Sequence, residues 1–169
     1  MSGTQRFLRT LEHPARTAIA AVVSLWAAQL CGLPEAYWAS ITTIIILQST
    51  LGAAIAVSSQ RWAGTALGAF SAALIVSYFG SGVWAYGAGI LILGLMCDFL
   101  RLGNVAYRFA GITLAIVMLV PRVKSDWIIA LHRFIEVSIG ILVGLAITAI
   151  WPEREEEASP PAQSKPMQN

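Results

Sequence analysis

From Ala36 to Gln60 the chain carries no charged side chain, and the run opens on the aromatic pair Tyr37-Trp38. Arg61 ends it, followed by Gly64-Thr65 and then Gly68. Roughly 20 apolar residues are enough to cross the hydrocarbon core of a bilayer, and this run is longer and greasier than a soluble helix or a surface loop tolerates. The stretch is expected to form a membrane hairpin. One helix descends to a turn around Val57–Gln60, and a second starts at a cation and exposes small residues four apart.

The same reading extends to the whole chain. Hydrophobic residues make up 57% and charged residues 12% of its 169 residues, with a mean hydropathy of +0.69, against about 25% charged residues in ordinary soluble domains. The expected fold is all-α: a polytopic membrane protein with six transmembrane helices, over about 15–30, 36–57, 61–79, 83–99, 104–120 and 127–151. Turn signals separate them at Gly32-Leu33-Pro34, beside Glu35, then at Gly80-Ser81-Gly82, Asp98–Asn104 and Arg122–Asp126. Residues 1–14 read as a cytosolic lead-in ending at Pro14, with no cleavable signal peptide, and 153–169 as a disordered acidic, proline-rich tail.

Cation placement orients the bundle. With the N-terminus inside, Arg6, Arg9, Arg16, Arg61, Arg101, Arg108, Arg154 and Lys165 fall on the cytosolic side, against Arg122, Lys124 and Arg133 outside. The positive-inside rule then puts both termini in the cytosol. Arg61-Trp-Ala-Gly resembles Arg108-Phe-Ala-Gly, and Arg16 stands a similar distance earlier. A weak repeat of three hairpins, each with a cation at its inner mouth, would give this pattern, and so would positive-inside bias alone.

Several classes are excluded. A net charge of +2 without a dense basic run offers no nucleic-acid footprint. Cys31 and Cys97 fall at opposite membrane faces, so they are expected to pack as small hydrophobes rather than to bridge. His13 and His132 also fall on opposite sides, which defeats a shared metal site or a bis-His haem. With no phosphate loop and no nucleophile elbow, neither enzyme chemistry nor a cofactor nor a metal is expected.

The charged residues in apolar sequence carry what chemistry there is. Arg61 reads either as an anion contact, its planar fork matching a carboxylate, or as a snorkelling arginine that sets topology. Arg108 has the same two readings, and Arg16 reads as topology. Arg133 and Glu136, three apart on one helix, form either a structural pair or a gate in which Glu136 takes a proton. His132 beside them reads as a hydrogen bonder, and Asp98 with Arg101 as a solvated pair. Gly64 and Gly68 on the third span and Gly140 and Gly144 on the sixth are small residues four apart, the spacing that lets helix backbones approach. Thr42, Thr43, Gln48, Ser49 and Thr50 either line a wet path or bond neighbouring helices.

Four motifs in order complete the picture: Leu33-Pro34-x-x-Tyr37-Trp38-Ala39; Thr42-Thr43 with Leu47-Gln48; Arg61-x-x-Gly64-Thr65-x-x-Gly68; and Arg133-x-x-Glu136-x-x-x-Gly140. Together they resemble the fusaric acid resistance protein-like (FUSC) family, which includes aromatic acid exporters and is related to plant aluminium-activated malate channels. The resemblance covers nearly all of Ala15 to Pro152. It implies a six-helix module that moves organic anions, often aromatic carboxylates, out of the cytoplasm, with Arg61, Gly64, Thr65, Gly68, Arg133, Glu136 and Gly140 at motif positions. The larger exporters resemble two such modules plus a soluble domain. A homodimer would supply the second module here.

The expectation is therefore an exporter of small organic anions embedded in the lipid bilayer. Arg61, Thr65 and Arg108 hold the substrate at a cytosolic vestibule, and Arg133 with Glu136 forms an outer gate. The alternatives are a passive anion channel, or a non-transporting scaffold packed against a larger efflux assembly or a periplasmic adaptor.

Overall fold

The computed structural model describes residues 3–47, 50–120 and 126–151. These form six helices and, among the described residues, no strand: α1 Gly3–Leu30, α2 Tyr37–Leu47, α3 Leu51–Phe79, α4 Val83–Phe99, α5 Gly103–Leu119 and α6 Asp126–Ile150. The proposed tail, 153–169, and most of the turn at 122–126 lie outside the described residues.

Several boundaries follow the sequence signals. The Gly80-Ser81-Gly82 turn separates α3 from α4, and Gly80 adopts φ +76°, ψ −175°, a conformation essentially reserved for glycine. Gly80→Ala has open space for its methyl group, so its cost is backbone strain alone. We expect a loss of about 1–3 kcal/mol, read as a lowered midpoint of unfolding in detergent.

Two expectations are corrected. The first hairpin does not turn at Val57–Gln60. Those residues lie within α3, and the break falls between Leu47 and Leu51. Thr50 is extended at the helix entry, and Ala54 N–H donates to its carbonyl at 2.7 Å. The helix continues through Ser58 and Arg61 because both side chains are buried between helices rather than exposed at a turn. The second correction concerns the lead-in: from Gly3 it is continuous with α1, and Pro14 sits inside that helix instead of starting it.

By length and composition α3 and the Trp127–Ile150 part of α6 are able to cross a membrane, while α2, α4 and α5 are shorter apolar helices. At 1.5 Å per residue α3 spans about 44 Å and α2 only about 17 Å. α3 is the hub. It packs most extensively on α5, and also on α6 and α4, while α1 and α2 pack on each other and on α6. Leu93, Leu114, Val117 and Met118 centre the core on the α3–α4–α5 side, and Ile46, Val137 and Ile141 join α2 to α6. The outward faces stay apolar, with Trp84, Phe99 and Ile150 almost fully exposed. Cys31 is exposed, Cys97 is buried and both are free thiols.

Candidate functional site

The glycines set how closely the helices approach. A Cβ on Gly64 would run into the carbonyl oxygen of Ala106, and one on Gly68 into that of Ala110, so α3 and α5 touch backbone to backbone. Gly140 meets the carbonyl of Ala39 and the Thr42 side chain in the same way, and Gly144 meets Ile46. Both small-residue faces are therefore used inside one chain.

Close approach of α6 to α2 brings charges from three elements together. Arg133 is 2% exposed and Glu136 is 1% exposed. Arg133 Nη2 lies 2.7 Å from Glu35 Oε2, and its Nη1 lies 3.5 Å from Glu136 Oε2. Glu136 Oε1 accepts the backbone N–H of Glu35 at 3.2 Å, which ties the α1–α2 turn down onto α6. Trp38 Nε1–H donates to Glu35 Oε2 at 3.2 Å, and its ring lies 4.1 Å beneath the Arg133 guanidinium. Glu35 is thus the hinge of the network, a residue the sequence placed only in a turn.

Arg61 joins the same cluster from α3. It is 6% exposed, and its guanidinium stacks 4.5 Å over the Phe109 ring. Its Nη2–H and Nε–H both donate to Thr42 Oγ1, at 2.9 and 3.2 Å. That hydroxyl donates in turn to the Trp38 carbonyl at 2.8 Å. Among the described residues no carboxylate forms an ion pair with Arg61, and its Nη1 has no protein acceptor. Thr42→Val keeps the shape but removes the oxygen that accepts both bonds from a buried cation. We expect a loss of about 2–3 kcal/mol, measured by denaturant unfolding in detergent, with Thr42→Ser close to wild type.

Arg61, expected apart from Arg133 and Glu136, therefore stands in one cluster with them. Arg61 stands almost three turns into α3, about 15 Å from its start at 1.5 Å per residue, because that helix begins at Leu51. Thr65 is buried one turn further along the same face. Arg108 is exposed on α5 and does not enter the cluster. Arg16 is 2% exposed, with Nη2 donating to Thr148 Oγ1 on α6 at 3.3 Å, so it is buried between helices rather than free at an interface. Arg16, Arg61 and Arg108 each lie within a helix rather than at its first residue. Asp98 and Arg101 are both exposed and do not pair with each other. Gln48 and Ser49 lie outside the described residues. Thr43 Oγ1 donates to the Gly140 carbonyl at 2.9 Å, so that hydroxyl bonds a neighbouring helix rather than lining an open path.

Charged side chains buried between helices whose outer faces are apolar define a helical membrane module with an ionic centre. The chain belongs to the fusaric acid resistance protein-like family, which it matches over residues 19–147. It is 30% identical to inner membrane protein YeeA of Escherichia coli (strain K12) over 151 residues, 84% of this chain and 41% of that protein. It is 31% identical to the uncharacterized transporter YdhK of the same organism over 156 residues, 85% of this chain and 23% of that protein. A YdhK from Salmonella typhimurium is 30% identical over 154 residues, 85% of this chain and 22% of its own length. The chain spans less than half the length of these curated relatives. No solved structure matches it.

Proposed function

We propose that this module carries small organic carboxylate anions, aromatic ones included, outward across the inner membrane. In this reading all six helices are threaded through the bilayer, both chain ends are cytosolic, and two copies form the working unit. The observation that carries it is Arg61: a buried guanidinium whose protein partners are a neutral hydroxyl and an aromatic ring. An isolated charge is costly inside a membrane. A passing carboxylate would offset that cost, accepting from the Nη1 face while Thr42 holds the other two donors. Phe109 and Trp38, already stacked on the two arginines, would favour a flat, aromatic anion. Arg133 is committed to Glu35 and Glu136, and an arriving anion would compete for it, loosening the turn that Glu35 anchors. The transporter relatives and the inner-membrane relative support the setting.

The test is flux in proteoliposomes for a panel of labelled aromatic and aliphatic carboxylates, beside current in a voltage-clamped bilayer. Carrier activity predicts saturable flux, highest for aromatic carboxylates, with little steady current. A large conductance would make the module a channel. No flux for any anion would overturn the proposal in favour of a membrane scaffold.

A further inference from the structure

A cavity of about 530 Å³ lies on α4 and α5 near the turn that joins them, and shares no residue with the charge cluster. Leu91 and Leu95, exposed side chains of α4, line it together with the Tyr107 ring, and Asp98, Arg101 and Asn104 line it at the turn. The turn itself is unusual. Arg101 adopts φ +53° and Gly103 φ +79°, and a non-glycine residue at positive φ is uncommon.

Asp98 and Arg101 line one cavity with opposite charges, three residues apart, yet they form no ion pair with each other among the described residues. Arg101 N–H donates instead to the Asp98 carbonyl at 3.0 Å, which closes the turn and leaves both charged side chains at the mouth. A single-charge ligand would satisfy one of them and leave the other. A ligand carrying both signs and an apolar tail satisfies the mouth and the walls together.

We propose that this cavity is a binding site for a zwitterionic phospholipid whose headgroup carries a primary ammonium. The phosphate accepts from Arg101 and Asn104, the ammonium donates to Asp98, and one acyl chain lies along Leu91 and Leu95. The apolar α4 face and the polar turn place these groups at a membrane–water boundary, where headgroup and chain separate. The site is independent of the anion cluster.

The test is titration of delipidated protein in detergent with phosphatidylethanolamine, phosphatidylcholine and phosphatidylglycerol of matched acyl chains, read as bound fraction by native mass spectrometry. Phosphatidylethanolamine should bind tightest, because the choline group has no N–H to donate and the glycerol group no positive charge. Asp98→Asn should lower phosphatidylethanolamine affinity about fivefold and leave phosphatidylglycerol unchanged, a modest factor suited to a partly exposed charge pair. Asp98→Glu should keep the preference. Arg101→Gln should weaken all three lipids, and Leu95→Trp, which fills the apolar wall, should weaken all three alike. A phosphatidylethanolamine-to-phosphatidylglycerol ratio that Asp98→Asn leaves unchanged overturns the proposal. So does lipid binding that Leu95→Trp does not affect.

Discussion

Arg133→Met is expected to destabilise the protein by about 3–5 kcal/mol, the usual cost of removing one member of a buried ion pair. Methionine fills much of the same volume, so packing is not the main loss. Glu136, 1% exposed, would lose the cation that faces it, and so would Glu35, whose Oε2 lies 2.7 Å from Arg133 Nη2. Glu35 is the more exposed of the two carboxylates and loses less. The double variant Arg133→Met/Glu136→Gln should recover most of the loss, because it removes the buried carboxylate that faced Arg133 as well. The check is a double-mutant cycle by denaturant unfolding in detergent, in which the two changes should be strongly non-additive. Equal and additive losses would mean that the two side chains do not act as a pair.

Gly68→Leu should cost at least about 3 kcal/mol, at the upper end for overpacking a core, because the obstruction is backbone rather than a movable side chain. A Cβ at Gly68 meets the Ala110 carbonyl oxygen, with Ala110 Cα 2.9 Å away. The α3–α5 contact, the most extensive in the molecule, would have to separate. Gly52 lies on the same helix with nothing within 4 Å, so Gly52→Ala should instead stabilise by roughly 0.5–1 kcal/mol through helix propensity. The thermal midpoints of the two variants in detergent should move in opposite directions. Similar midpoints would show that α3 and α5 are not locked backbone to backbone.

Both ends of α4 and the start of α5 were legible because Gly80-Ser81-Gly82 and the polar Asp98–Asn104 turn interrupt apolar sequence sharply. The break after Leu47 was not. Gln48-Ser49-Thr50 and Ser58-Ser59-Gln60 are equally good polar triplets, and the need for a full-length second span favoured the later one. Only packing separates them, since Ser58 and Arg61 face other helices. That displacement of ten residues also hid the site. With α3 starting at Arg61, the arginine belongs at one membrane face and Arg133 at the other; with α3 starting at Leu51, both reach the Trp38–Thr42 face of α2. Glu35 was missed for a related reason. Its partners Arg133 and Glu136 lie 98 and 101 positions away in sequence, and nothing local distinguishes it from a solvated turn carboxylate. The glycine pairs were legible as packing faces, but the helix each one meets was not.

Flux of an aromatic carboxylate from proteoliposomes, wild type beside Arg61→Gln and Arg61→Lys, tests most directly whether the buried arginine contacts the anion. Loss of one charge-assisted contact predicts a drop of about tenfold or more for Arg61→Gln, with unfolding midpoints close to wild type. Arg61→Lys should fall between, because an ammonium keeps the charge but not the planar fork. Undiminished flux in a folded Arg61→Gln protein would contradict the account.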